Sequence, residues 1–550
     1  MITVILPMGI IITIGAWAWH RMTRYVPRNR VRAFRLRLRM RLRPGRGFAT
    51  AFELWLRWGR FAALRSSKQI RPDLSPWQRI RHPELWSVLI GTAQRGHKLR
   101  VTCEEACLIQ APPRQGKTAA LLADIVLSYP GPAVSTSVKP DVFALTSGVR
   151  GQLGPLAVFN PQSIGGVQST LAWSPTSGCR DPQVAERRAS AFAGAVSVKG
   201  TDGGGDTFWT SQAAQFMGAA FMAADLCGGD LRLCSRWLQG SPEDAEAILR
   251  AAGADEQAAA LSQLRSSSAQ KTLDTVRLIM KKGLQFLGDP ELAASVLPNG
   301  SEFDIPAFLE QHGTLYAIAE AESEDVTVAP VFAALLDEIH TVAKQIGSKA
   351  PGGRLTPPAG FFLDEVANIA PVPLNRWGAD SGGRGIQLFT VCHGDAQLRE
   401  RWGRDGARVI QDTHSVKILL PGVSDTDTLQ AMSKLAGEFT QLQHDDKHGN
   451  HPVVTEAMIR QMPTFYALVI RGNVAPVVAR LPKTWRNAQY RKARRNGQAV
   501  AVLQPAARPV AIPSYEVPAV AEPADDVLGA LLTDVDSVPE RVPADNPWGI

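Results

Sequence analysis

Cysteine is scarce in this 550-residue chain, with six residues at positions 103, 107, 179, 227, 234 and 392. Cys103 and Cys107 stand four apart, but no His or Cys partner lies near them at metal-ligand spacing. This excludes a disulfide scaffold and a cysteine-built zinc site, and leaves buried, reduced thiols. Long apolar runs are equally few. Ile2–Trp19 has no charged residue and would span roughly 27 Å as a helix at 1.5 Å per residue, close to one bilayer core. Acid is missing from residues 21–46, which carry eleven arginines. Removing these from the net charge of +9 leaves the rest of the chain at −2, so a broadly basic surface is excluded and any nucleic-acid contact there must be a local patch.

Arginines directly behind an apolar segment stay cytoplasmic. The expectation is therefore a single-pass transmembrane anchor over residues 1–20 in the inner or plasma membrane, with the bulk of the protein cytoplasmic. Ala16-Trp17-Ala18 has the small-residue pattern of a signal-peptidase site, but no positive segment precedes it, so the anchor reads as uncleaved. Residues 21–84 then form a basic juxtamembrane segment. Within it Phe48, Phe52, Trp55, Trp58 and Phe61 fall at helical spacing among Glu53, Arg57 and Arg60, the pattern of an interfacial helix.

What the chain does contain is a split phosphate-handling signature. Leu108-Ile109-Gln110 reads as a strand, Ala111-Pro112-Pro113-Arg114-Gln115-Gly116-Lys117-Thr118 as a loop, and Ala119–Leu127 as a helix. In a loop of this type backbone N–H groups and the helix N-terminus cradle phosphates, the lysine reaches the β- and γ-oxygens, and the Thr118 hydroxyl ligates Mg²⁺. Ala111 stands where the first glycine is usual. The second half is Phe361-Phe362-Leu363, a short strand suited to a parallel sheet, ending in Asp364 and Glu365. Ligands of open α/β sheets bind at such carboxyl ends. Asp364 is expected to hold Mg²⁺ through water, and Glu365 to orient and deprotonate the attacking water. Together the halves predict an ATP hydrolase using ATP and Mg²⁺. Leu335-Leu336-Asp337-Glu338 is a rival for the second half, but Val331, Leu335, Ile339 and Val342 repeat there at helical spacing, which makes it the polar edge of a core helix.

Roughly 250 residues separate Lys117 from Asp364, more than a minimal core needs, so something is inserted. Strands are expected at Ala133–Ser137, Leu156–Phe159 and near Thr314–Ile318. Alanine-rich helical segments are expected at Ala185–Val196, Phe208–Leu226, Pro242–Ala252 and Gln257–Phe286. The boundaries drawn are a core at 85–183 and 311–490, an all-alpha insertion at 184–310, and a disordered Pro/Ala-rich tail at 491–550.

With these pieces placed, the chain resembles the TraG/TraD-like coupling proteins of type IV secretion and conjugation. The resemblance runs in order over roughly residues 85–485. Beyond the loop it takes in Ser137-Val138-Lys139-Pro140-Asp141, Val158-Phe159-Asn160-Pro161, Phe208-Trp209 and Leu363-Asp364-Glu365-Val366-Ala367-Asn368-Ile369. It continues through Gly382-Gly383-Arg384-Gly385-Ile386, Gln397-Leu398 and Leu419-Leu420-Pro421-Gly422-Val423-Ser424-Asp425. It implies a RecA-like α/β P-loop NTPase core carrying an all-helical insertion, assembled as a homo-hexamer. Its partners would be single-stranded DNA with an attached relaxase, the type IV secretion channel components, and the membrane through one N-terminal helix. Arg384, in a glycine-flanked turn, is expected to reach a neighbouring subunit's γ-phosphate. His393 takes the place where many members carry glutamine, and an imidazole N–H can donate to a phosphate oxygen as an amide does. Asn160 replaces a family aspartate, with no role assigned from sequence. An FtsK-like DNA pump and a non-hydrolysing substrate receptor remain the alternatives.

Overall fold

The computed structural model describes residues 34–35, 38, 46–196, 205–266, 270–297, 303–320, 327–442, 448–498 and 500–501. Short, mostly apolar runs become strands: β1 Ser87–Thr92, β2 Lys98–Thr102, β3 Cys107–Gln110, β4 Ala133–Ser137, β5 Leu156–Phe159, β6 Thr314–Ile318, β7 Ala359–Leu363, β8 Ile386–Cys392 and β9 Val416–Leu419. The hairpin β10 Glu438–Leu442 and β11 His448–Pro452 follows, then β12 Tyr466–Arg471 and β13 Val474–Arg480. Among the described residues eleven of these form one sheet in the order β2-β1-β13-β12-β9-β3-β8-β7-β4-β6-β5. From β9 to β5 every neighbour pair is parallel. The four strands from β12 to β2 continue it antiparallel.

Alternate side chains of the parallel strands enter different cores, as the two-residue strand period requires. Phe361 and Leu363 join one cluster, with Leu108 and Leu388. Phe362 joins the other, with Ile109 and Phe389. Both faces are thus covered, which is why these strands read as unbroken apolar runs rather than alternating ones.

Between β5 and β6 the described chain is helical: Pro182–Gly194, Gly205–Cys227, Leu231–Gln239, Glu243–Ala251, Asp255–Ser266, Gln270–Leu284, Pro290–Ala294 and Ile305–Glu310. The rival Asp337-Glu338 pair lies in the helix Ala329–Lys349. Asp337 accepts from Trp377 Nε1 at 3.2 Å, and Glu338 holds Arg187 and Arg188 at 2.8 Å each. That pair joins the first inserted helix to the core helix and takes no part in the loop's chemistry. Cys103, Cys107, Cys179, Cys234 and Cys392 are buried free thiols, and Cys227 is half-buried.

Two expectations change. Residues 48–61 do not make one helix: Ala51–Glu53 runs into a wide turn at Leu54–Trp58, and Gly59 separates this from the helix Arg60–Ile70. Phe48 and Trp58 turn inward, Trp58 under the Arg471 guanidinium, while Phe52, Trp55 and Phe61 stay exposed. The single-pass membrane placement is also corrected. No helix among the described residues is long and apolar enough to cross a membrane, and Ile2–Trp19, on which that placement rested, lies outside them. At the other end the helix Ala488–Arg495 runs past the expected start of the tail, whose residues from 502 onward also lie outside.

Candidate nucleotide site

The loop Ala111–Thr118 leaves β3 at the carboxyl edge of the parallel sheet, and β8 stands between β3 and β7. The loop is held from both neighbours of β3. Ala111 N–H donates to Cys392 O on the β8 side at 3.0 Å, and Leu420 N–H, just past β9, donates to Gln110 O at 2.9 Å. Arg114 (φ +65°) and Gly116 (φ +81°) take left-handed conformations that curl the loop back on itself. The chain then enters a wide turn at Thr118–Leu122 before the helix Ala123–Ser128.

Lys117 brings the two halves of the sequence signature together. Its Nζ bonds Glu365 Oε1 and lies 3.1 Å from Asp364 Oδ1. The Thr118 hydroxyl is 3.5 Å from Asp364 Oδ2. Asp364 is fixed from below, since Thr136 Oγ1 donates to its carbonyl oxygen at 2.8 Å. Glu365 has φ +52°, a left-handed conformation rare for a side-chain-bearing residue and costing about 1–3 kcal/mol. That sharp turn at the end of β7 carries its carboxylate over the loop. His393 follows β8 directly. Its Nε2 lies 3.2 Å from Glu365 Oε2 and its Nδ1 is 3.1 Å from Ala111 O.

The charges of the site follow from these contacts. Burial alone would raise Glu365, but the hydrogen bond from His393 and the Lys117 charge outweigh it and bring the carboxyl down to about 2. Asp364 goes the other way, raised by burial against the pull of Lys117. Burial opposes the charge on Lys117, yet the two carboxylates raise its pKa overall. His393 is raised by its hydrogen bond to Glu365.

The donor set fits a hard divalent cation held jointly with phosphates. Asp364 Oδ1 is buried with no hydrogen bond aligned on it, the Lys117 contact being off the hydrogen-bond line. The nearby Thr118 hydroxyl supplies a second oxygen. No group of three or more His, Cys, Asp or Glu suited to a metal occurs among the described residues, so the phosphates would complete the shell.

Arg384 is not part of this cluster. It sits in the turn Gly382–Arg384 ahead of β8, and the length of that strand puts it roughly 25 Å from His393 at ~3.3 Å per residue. Its guanidinium is half-exposed and lies 3.5 Å from the Asp380 carboxylate.

Residues 358–463 match the family model described as the TraM recognition site of TraD and TraG. Over these residues the chain is similar to TraD and TraG. The match covers β7, Asp364, Glu365, Arg384, His393 and the β10–β11 hairpin, and stops short of the Lys117 loop. Solved structures with the same mixed α/β, largely parallel architecture include the bacterial conjugative coupling protein TrwB in a trigonal form with sulphate. It has TM-score 0.55 and 18% identity over 71% of this chain and 89% of that one. TrwB in complex with ADP and Mg²⁺ gives 0.53 and 18% over 72% and 89%. With the non-hydrolysable ATP analogue ADPNP the values are 0.53 and 18% over 70% and 88%. No curated protein sequence matches the chain.

Three features escaped sequence reasoning, two in this site and one past β5 at the far edge of the sheet. Gln397 holds His393 from behind, accepting its backbone N–H at 2.9 Å while donating to Asn368 Oδ1 at 3.4 Å. Gln110, the last residue of β3, donates through Nε2 to Asp395 across 285 positions, and nothing local in the sequence links the two. Asn160 Nδ2 donates to Ile164 O and Val167 O at 3.1 and 2.7 Å, and its Oδ1 accepts from Ile164 N at 3.1 Å. An aspartate could satisfy only the last of these, so asparagine is what this loop requires.

Proposed function

We propose that the chain is a coupling ATPase of conjugative transfer, taking DNA with its attached relaxase and driving it toward a type IV secretion channel. The observation that carries this reading is the meeting of Lys117 with Asp364 and Glu365 at one sheet edge, in a chain whose carboxylate half matches TraD and TraG.

In that role the loop 111–118 cradles the phosphates, and Lys117 leaves the carboxylates for the β- and γ-oxygens. This transfer matters for Glu365. A carboxyl at about 2 is a poor proton acceptor, and withdrawing Lys117 removes one of the two cations that hold it there. Glu365 is then free to orient the attacking water and take its proton. His393, still held by Gln397, is placed to donate to a γ-phosphate oxygen. Thr118 and Asp364 hold Mg²⁺, which when bound neutralises charge developing on the phosphate oxygens. Arg384, remote from its own loop, serves the loop of the next subunit in a homo-hexamer.

The test is Lys117→Ala, expected to abolish phosphate release and conjugative transfer while the purified protein keeps its melting temperature within a few degrees. Near-normal ATPase activity in that variant would remove the assignment of the site.

A further inference from the structure

The position of the carboxylates fixes which way a nucleotide must lie. Glu365, Asp364 and His393 mark the γ-phosphate end, on the β8–β7 side of β3. The base therefore falls on the opposite side of β3, toward β9, β12 and β13. β12 is antiparallel to β9, with Leu468 opposite Leu419, and β13 is antiparallel to β12, with Arg480 opposite Tyr466. The residue before β12 and the residues after β13 consequently lie at the same edge as the loop.

Those residues are Phe465, Lys483 and Trp485. The Phe465 and Trp485 rings are 5.9 Å apart and nearly perpendicular, with Lys483 Nζ 4.0 Å over the first and 5.5 Å over the second. The group is fixed to the phosphate loop and to the turn and helix that follow it. Phe465 borders Gly116 so closely that a Cβ there would meet its ring at 3.0 Å. Thr484 Oγ1 donates to Ala119 O at 2.7 Å, and Asn487 Nδ2 to Asp124 Oδ1 at 2.9 Å. Phe465 also has φ +70°, a strained conformation for a bulky side chain. Trp485 remains 42% exposed, although the backbone on both sides of it is anchored. An aromatic face held open beside a phosphate loop, with a cation at its rim, is the chemistry that accepts a nucleobase.

We propose that Phe465, Lys483 and Trp485 form the base subsite, in which the purine ring of the bound nucleotide stacks on the open face of Trp485. This rests on the reading of Ala111–Thr118 as the nucleotide loop. The experiment measures dissociation constants by calorimetry on the full chain with Mg²⁺, using a non-hydrolysable ATP analogue and inorganic tripolyphosphate. Trp485→Ala is expected to weaken the analogue about tenfold or more, the size of a lost aromatic–base stack. Tripolyphosphate affinity should stay within twofold, and Trp485→Phe should recover most of the analogue's affinity. Unchanged analogue binding in Trp485→Ala would overturn the base subsite alone. Equal weakening of both ligands would also overturn it, because Trp485 would then be shaping the loop. Failure of the unmutated protein to bind either ligand would overturn the nucleotide site itself.

Discussion

Two cations face Glu365, Lys117 on one oxygen and His393 on the other, and the pH behaviour of the site depends on which of them is charged. His393 is raised above its ordinary value of 6.5. Its pairing with Glu365 therefore stabilises the fold fully below pH ~6.5 and fades as pH rises through the raised value. Glu365, lowered to about 2 from 4.5, contributes above its ordinary value and loses that contribution as pH falls toward 2. Both groups contribute together between roughly pH 4.5 and 6.5. The melting-temperature gap between the unmutated protein and His393→Gln should be widest in that window and close above it. A gap that stays constant from pH 5 to 8 would show that His393 does not act through its charge. In turnover, His393→Gln should keep most ATPase activity because an amide offers a similar donor, whereas His393→Ala should lose more in kcat than in nucleotide affinity.

Ion pairing also joins elements. Glu338, on the helix Ala329–Lys349, holds both Arg187 and Arg188 of the helix Pro182–Gly194, and Arg188 is itself buried over Trp173. Glu338→Ala strands buried positive charge and should cost about 3–5 kcal/mol in urea unfolding. Asn160→Asp, which points a carboxylate at two carbonyl oxygens, should cost about 1–3 kcal/mol in the same assay. A loss below half a kcal/mol in either variant would contradict the contact on which it rests. The two Asp-Glu pairs also mark how far the sequence could be read. An unbroken apolar run identified β7, while the helical repeat of Val331, Leu335 and Ile339 placed the other pair on a helix. The loop and its carboxylates were legible because both are local strings. The antiparallel extension was not, because its joins are non-local: Thr92 of β1 lies opposite Arg480 of β13, and Leu468 of β12 opposite Leu419 of β9. Gln110 with Asp395, and Phe465 with Trp485 beside Gly116, were hidden for the same reason. Phe52, Trp55 and Trp58 read as one helical face, yet the wide turn over Leu54–Trp58 points them different ways, which spacing alone does not reveal.

At the scale of the whole molecule, Arg384 and the phosphate loop occupy opposite ends of the sheet, so a catalytic guanidinium from this position has to come from another copy. Such a residue is worth ~10³–10⁵ in rate, against about 0–1 kcal/mol for a surface ion pair like the one it makes with Asp380. Arg384→Ala should therefore be severely impaired. Mixed with Lys117→Ala subunits, it should recover partial ATPase activity, because some interfaces then pair an intact loop with an intact arginine. Mixed oligomers that recover nothing would exclude the in-trans role.

The strand that carries the phosphate loop has both of its neighbours far downstream: β8 begins at Ile386 and β9 ends at Leu419. On a ribosome adding ~5–20 residues per second, Gln110 is synthesised roughly 15–60 s before the last of its pairing partners. For that interval the strand that carries the loop has neither of its flanking strands to pair with. The site comes into being only after most of the polypeptide has been made, so newborn chains pass through a long period in which they can neither bind nucleotide nor be rescued by it.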